Sequence, residues 1–346
     1  MEVKDTNKID GQGTQMDTAS RLLWSNNEFF AELFNRVVFQ YSIIDANSLE
    51  DTSEAESVML RLDNGRTGLK NFRDLAKRWK DGDVILAILA AENQSKRHFL
   101  MPFRCMRQDF INYARQISLI EAERGKDFRD NAPLEINRDM TDEEYYSHFL
   151  MTDRICPVIT VVVYYGDEPW NWPLSLKDIL SDTPAKKFAN DYPMTLLDIK
   201  HMSQADLDAY SPKLQACLGF IHHSKGPQLG DFISDHKDVL SSLPMKTLDA
   251  LLTITGSRNY FKDLSLDEVE EGGNDVCKGL ELYVREKNME TAVMLLKDLG
   301  HSADYAAAYL QEEFGDSDGI SPMDFIASHW DNPKISSKAP SASAPS

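Results

Sequence analysis

The sequence predicts an α/β domain followed by a mainly helical region. Three observations carry this. Two strand-like segments, Phe72–Trp79 and Val84–Gln94, stand back to back; an amphipathic helical pattern begins at Pro102; and a third apolar strand covers Pro157–Tyr165. An αββαβ order of this kind asks for a central sheet flanked by helices. Beyond about residue 203 the pattern turns helical, so the chain divides into an α/β domain over 21–200 and a helical region over 201–330. The ends, 1–20 and 331–346, are polar or rich in Pro, Ser and Ala and read as disordered tails.

Order is expected to begin at Ser25. Ser25 and Glu28 have capping-box spacing, and Phe29, Phe30, Leu33, Phe34, Val37 and Val38 follow at helical period. The segment to residue 70 is irregular, with a short strand at Val58–Leu62 before the turn residues Asp63, Asn64 and Gly65. Phe72–Trp79 and Val84–Gln94 are joined around Asp81, Gly82 and Asp83. The second is almost free of polar residues until its end, which predicts a central strand buried on both faces. Pro102 is a favoured first-turn residue. Behind it Phe103, Met106, Phe110, Ala114 and Ile117 share one helix face, and Arg104, Gln108 and Arg115 another. A short helix is expected from Thr141, and Gly166 with Asp167 stops the third strand. Six helical segments follow: 203–209, 212–224, 227–241, 245–255, 275–300 and 301–314.

Of 346 residues, 42% are hydrophobic and 27% charged, which excludes collagen-like and wholly disordered chains. A net charge of −19 argues against a protein that coats nucleic acid indiscriminately, because phosphate binding draws on positive charge. The charge is uneven. From Arg66 to Arg129, 14 Lys and Arg stand against 8 Asp and Glu, whereas from Phe261 to Asp318, 5 stand against 15. Such asymmetry marks either ordinary solvated faces or a basic α/β unit that meets a polyanion. Cys105, Cys156, Cys217 and Cys277 have neither disulfide-framework nor zinc-ligand spacing, which points to a reducing compartment. The N-terminus lacks an apolar signal core, and the apolar run Val84–Ala91 is too short to span a bilayer. A cytoplasmic protein is expected.

No phosphate-binding loop, dinucleotide fingerprint, HExxH or nucleophile elbow is present. His222 and His223 are adjacent, so they point in different directions on a helix, and the residues around Asp316 and Asp318 fail calcium-loop spacing. What remains is Asp74 on one strand with Glu92 and Gln94 on the next. Glu92 and Gln94 share a face, since side chains two apart in a strand do. A carboxylate ending a buried strand is costly unless it is compensated. A cation shared with Asp74 would offset that cost, and hard oxygen ligands suit Mg²⁺. A two-residue turn at Asp81 and Gly82 would put Asp74 opposite Leu89, on the wrong face. Facing Glu92 therefore requires a longer odd-numbered loop or a bulge. The same residues admit a structural reading, with Asp74 paired to Arg73 or Lys77 and Glu92 merely the first loop residue.

Several ordered motifs resemble the recombination-promoting nuclease/putative transposase family, within the PD-(D/E)xK nuclease superfamily. They are Asn27-Glu-Phe-Phe-Ala-Glu-Leu-Phe-Asn35, Phe72-Arg-Asp74, Ala91-Glu92-Asn93-Gln94, and Met101-Pro-x-Arg104 with Asp109 and Tyr113. Pro157-Val-Ile-Thr, Tyr164-Tyr-Gly-Asp167 with Trp170, and Val276-Cys-Lys-Gly-Leu280 complete the set. The resemblance implies a restriction-endonuclease-like core, αβββαβ, and a metal-dependent DNA endonuclease. Asp74 and Glu92 would be its metal carboxylates, with Mg²⁺ the expected ion, and Gln94 would occupy the place where much of the superfamily has Lys. Gln offers neutral hydrogen bonds in place of a cation. Lys77 is either a substitute charge that meets DNA or an exposed strand residue. Glu32 either holds a metal-bound water or faces solvent. Arg104 either meets phosphate or anchors the fold against Glu92 or Asp109. Tyr113 and Trp170 are expected to pack. Double-strand cleavage would call for a homodimer. The competing function is a catalytically inactive nuclease-fold protein that binds DNA or a protein partner.

Overall fold

The computed structural model describes residues 11–52, 55–62, 65–72, 75–130, 141–226, 228–257, 273–315 and 321–331. The chain separates into two compact units, Met1–Met202 and Ser203–Ser346.

The first unit contains helices α1 (Gly11–Ser25) and α2 (Asn27–Phe34), then strands β1 (Leu49–Asp51), β2 (Ala55–Leu62), β3 (Gly65–Phe72), β4 (Leu75–Asp81) and β5 (Val84–Gln94). Helices α3 (Met101–Asp130) and α4 (Asp142–Ser147) and strands β6 (Val158–Tyr164) and β7 (Thr195–Asp198) follow. The main sheet is mixed, in the order β1-β4-β5-β6-β7; β1, β4 and β5 run antiparallel, and β5, β6 and β7 parallel. Strands β2 and β3 form a separate hairpin. The expected α/β class with flanking helices is thus what the chain adopts.

Several boundaries differ from the sequence reading for identifiable reasons. The stretch before residue 20, expected to be disordered, is helical from Gly11, and its last turns bury Ala19, Ser20, Leu23 and Trp24. Packing holds the helix where composition gave little support. Ser25 ends that helix, its hydroxyl donating to the Leu22 carbonyl, so the cap of α2 falls on Asn26, which accepts from the Glu28 and Phe29 amides. The expected single strand Phe72–Trp79 is divided, because Phe72 pairs with Ala55 in the hairpin while Leu75 pairs with Ala91 in the main sheet. Strand β5 spans the predicted Val84–Gln94, with Ala87 to Asn93 buried. Strand β7 was not anticipated; it is four residues long.

The β4–β5 hairpin turns on Gly82 and Asp83, with Gly82 at φ +58°, a conformation that favours glycine. Its register then shifts between Trp79 and Lys80. Trp79 lies opposite Ala87 and Lys80 opposite Ile85, which leaves Leu86 as the extra residue. This bulge is one of the two devices that the sequence reading required. Helix α4 starts at Thr141 as expected and opens with a capping box: the Thr141 hydroxyl accepts from the Glu144 amide while Glu144 accepts from the Thr141 amide.

The second unit is helical among its described residues: α5 (Gln204–Asp208), α6 (Pro212–His222), α7 (Leu229–Asp235), α8 (Lys237–Ser241), α9 (Met245–Thr255), α10 (Gly273–Asp298), α11 (Ala303–Phe314) and α12 (Pro322–His329). The predicted 227–241 helix is broken at His236, and α12 is additional, capped by Ser321 accepting from the Asp324 amide and led by Pro322. Met289, Val293, Leu310 and Phe325 join α10, α11 and α12 in one cluster. Among the described residues no helix is long and apolar enough to cross a membrane.

Candidate active site at the end of the central strand

Strand β5 lies between β4 and β6, and its polar end is enclosed rather than released into a loop. Glu92 pairs with Val162 and Gln94 with Tyr164, and Glu92 is 1% exposed. Alternation sends Glu92 and Gln94 to one face and Asn93 to the other. On the Asn93 face, the Tyr165 hydroxyl donates to Asn93 Oδ1 (3.1 Å) and accepts from Trp24 Nε1 (2.5 Å), which pins the end of α1 to the strand ends.

The Glu92 face is met by Arg104 from the first turns of α3. Arg104 Nη2 lies 3.9 Å from Glu92 Oε2, and Nη1 donates to Gln94 Oε1 at 3.3 Å. Gln94 Nε2 donates to the Asn93 carbonyl (2.8 Å), so the amide is oriented from both ends. The structural role weighed for Arg104 thus takes its Glu92 form. Asp109 has other partners: it accepts from Thr160 Oγ1 (2.6 Å) and from the Tyr192 hydroxyl, clamping α3 to β6 and to the segment before β7. Burial first, and then the Asp109 charge, push the Tyr192 phenol above its ordinary range. Tyr113 accepts from the Val158 amide (3.0 Å) and Trp170 packs edge-on against Tyr164, so both have the packing roles expected of them.

Lys77 requires correction. It lies opposite Leu89, three residues from Glu92, and so belongs to the other face of the sheet. It is neither an exposed strand residue nor a charge on the Glu92 face. Its fully buried ammonium donates to the Ser25 carbonyl (2.9 Å), Asn27 Oδ1 (2.7 Å) and Asp51 Oδ1 (2.6 Å), and lies 5.5 Å from the Phe30 ring centre. Three donors meet three oxygens, and no surface is left for an external phosphate. Glu32 lines a cavity of about 390 Å³ with Glu28, Arg36, Tyr41 and Asp45, and Glu92, Gln94 and Arg104 are not among the lining residues.

Two ionisable groups near Arg104 had no sequence signal. Desolvation by the surrounding protein raises the Asp17 carboxyl on α1, with the Arg104 charge opposing it. Desolvation, and then Arg104, lower the His98 imidazole.

Asp74 lies outside the described residues. The β4–β5 ladder is described up to Leu75 opposite Ala91, in the register that the sequence reading needed for the next pair. Among the described residues, no three His, Cys, Asp or Glu side chains are grouped to hold a metal ion. Glu92 and the Gln94 amide oxygen are nonetheless hard oxygen donors of the kind that Mg²⁺ prefers, and such a site needs a further carboxylate.

No curated protein and no solved structure matches the chain. Residues 143–249 match the family model described as putative transposase, YhgA-like, a segment that runs from α4 through β6 and β7 into α9 and starts beyond Glu92 and Gln94. The match agrees with the resemblance carried by the ordered motifs and supports a transposase- or nuclease-like role in general: over this segment the chain is similar to the YhgA-like putative transposases.

Proposed function

We propose that the protein is a divalent-metal-dependent DNA endonuclease that acts in the cytoplasm, in DNA recombination or mobile-element transfer. The carrying observation is the end of β5, where the buried Glu92 carboxylate, the oriented Gln94 amide and the Arg104 guanidinium share one face of the sheet. Asp74 and Glu92 would hold the ion, with Mg²⁺ the best match to their chemistry. When bound there, it lowers the pKa of a water and neutralises charge developing on phosphorus. Gln94 positions the attacking water through its amide oxygen or steadies a phosphate oxygen through its NH₂ group. Arg104 brings a planar, permanently charged donor to the phosphate, and the contact that now compensates Glu92 is exchanged for one to substrate. Cutting both strands would take two copies of the chain.

A second reading has one observation in its favour. Arg104 already compensates Glu92, as it would in a nuclease-fold protein that binds DNA or a protein without cutting. Incubation of supercoiled plasmid with the protein and Mg²⁺ decides between them. The nuclease reading expects nicked or linear product, reduced at least about 100-fold in Asp74→Ala and Glu92→Ala. Plasmid left equally intact by wild type and both variants across Mg²⁺, Mn²⁺ and Ca²⁺ would leave only the binding reading.

A further inference from the structure

Beyond Gln94 the chain leaves the sheet through residues 95–100 and enters α3 at Met101. This connection carries Lys96, Arg97 and His98 in succession and then Phe99. Facing it is the segment around Trp172. The Phe99 and Trp172 rings meet edge-on, with centroids 5.9 Å apart, and the Arg97 guanidinium lies 5.6 Å over the indole. Arg97 Nη1 also donates to Asn171 Oδ1 (2.8 Å) and reaches the Pro169 carbonyl (3.4 Å), so the two segments are tied to each other. Trp170, two residues earlier, packs against Met101, Cys105 and Val162. Phe99 and Trp172 do not follow it inward: they are 52% and 37% exposed.

We infer that this ledge holds an unpaired nucleobase, so that the DNA the protein takes has a single-stranded segment beside the phosphate at Glu92, Gln94 and Arg104. The inference deepens the nuclease reading and rests on it for the identity of that phosphate. A duplex keeps its bases stacked and presents phosphates and groove edges, which exposed aromatic rings do not serve. A splayed base presents a π-face, and aromatic side chains beside cations are the usual platform for one. Arg97 lies over the Trp172 indole, and Phe99 keeps 52% of its surface exposed for a base, while exposed Lys96 and half-buried Arg104 supply charge for the backbone. Gln94 and Phe99 are five residues apart, a span of at most about 17 Å, so a base on the ledge belongs to the same stretch of strand as the phosphate. On a chain of net charge −19, a local basic and aromatic strip gives a strand a place to approach an otherwise repellent body.

The test is binding by the full chain, with EDTA present so that cleavage does not enter. Fluorescence anisotropy compares a single-stranded oligonucleotide, a duplex with a single-stranded tail and a blunt duplex of the same sequence. The first two should bind at least about tenfold more tightly than the blunt duplex, and 2-aminopurine in the tail should change its emission on binding. Phe99→Ala and Trp172→Leu should each weaken tailed-DNA binding by about five- to a hundredfold and leave blunt-duplex binding unchanged, while Phe99→Tyr retains it. Equal affinity for all three DNAs, unaltered by Phe99→Ala and Trp172→Leu in proteins with wild-type circular dichroism, overturns the ledge. Ring-dependent preference for tailed DNA, without cleavage under any metal, keeps the ledge and removes the nuclease reading.

Discussion

The two faces of the central sheet each bury a formal charge, and they treat it differently. On one face Lys77 is enclosed by Asp51, Asn27 and the Ser25 carbonyl, each within 2.9 Å, and the strand partner Asp51 lies directly across the ladder. On the other face Glu92 is met by a guanidinium 3.9 Å away that is itself 32% exposed and also reaches Gln94. A buried charge whose geometry is complete joins elements of the fold, here α1, α2 and β1. The buried carboxylate at the strand end instead has its cation at 3.9 Å, shared with the Gln94 amide, and it is this looser contact that the proposed function gives up to substrate.

That contrast can be broken by substitution. Lys77→Met should cost about 2–3 kcal/mol, because the Ser25 carbonyl and Asn27 Oδ1 each lose a charged donor, while exposed Asp51 turns to water. Chemical denaturation would show a lower midpoint. Glu92→Gln should change stability by less than about 1 kcal/mol, since the Arg104 guanidinium left behind is 32% exposed and water takes up its charge, while any plasmid cleavage is lost. Comparable stability losses in the two variants would erase the distinction between the faces.

The clamp that holds α3 over the site comes next in size. Asp109→Asn and Tyr192→Phe should each cost about 1–3 kcal/mol in thermal or chemical unfolding, because each breaks a buried hydrogen bond to a charged group. A loss in Tyr192→Phe no larger than that of an exposed control such as Tyr146→Phe would show that the clamp carries no energy.

Legibility followed burial. Val84–Gln94 could be read to its ends because its stretch buried on both faces, Ala87 to Asn93, has to be largely apolar, so its polar terminus stood out as the candidate site. The bulge after Trp79 left no mark in composition, and only the demand that Asp74 face Glu92 made it necessary. Lys77 was misread because lysine is almost never fully buried, and the oxygens that enclose it come from Ser25, Asn27 and Asp51, far away in sequence. Asp17 had no signal at all: its helix is held by Ala19, Leu23 and Trp24, too few apolar residues to reveal a period. Helix α12, by contrast, is legible in the sequence, with a capping serine, Ser321, and Pro322 at its first position.

The smallest effect lies in the helical unit. His223 packs beside His222, Phe232 and His236, and burial first, then the two neighbouring histidines, hold its pKa below the ordinary 6.5. A group kept neutral in the folded state gives stability that is present above the unfolded value and lost as pH falls through about 6.5. Unfolding free energies measured between pH 7.5 and 5 should fall by no more than about 1 kcal/mol from this half-buried group, and His223→Gln should flatten that slope. An unchanged slope in the variant would assign the pH dependence to other groups.

In the proposed function Asp74 and Glu92 jointly hold one divalent cation at the end of β5. Isothermal titration of Mn²⁺ or Mg²⁺ into the full chain tests it without any reference to turnover. One ion per chain is expected, with binding abolished in both Asp74→Asn and Glu92→Gln and retained in Lys77→Met. Binding that survives both carboxylate substitutions, or wild-type protein that takes up no ion, would contradict it.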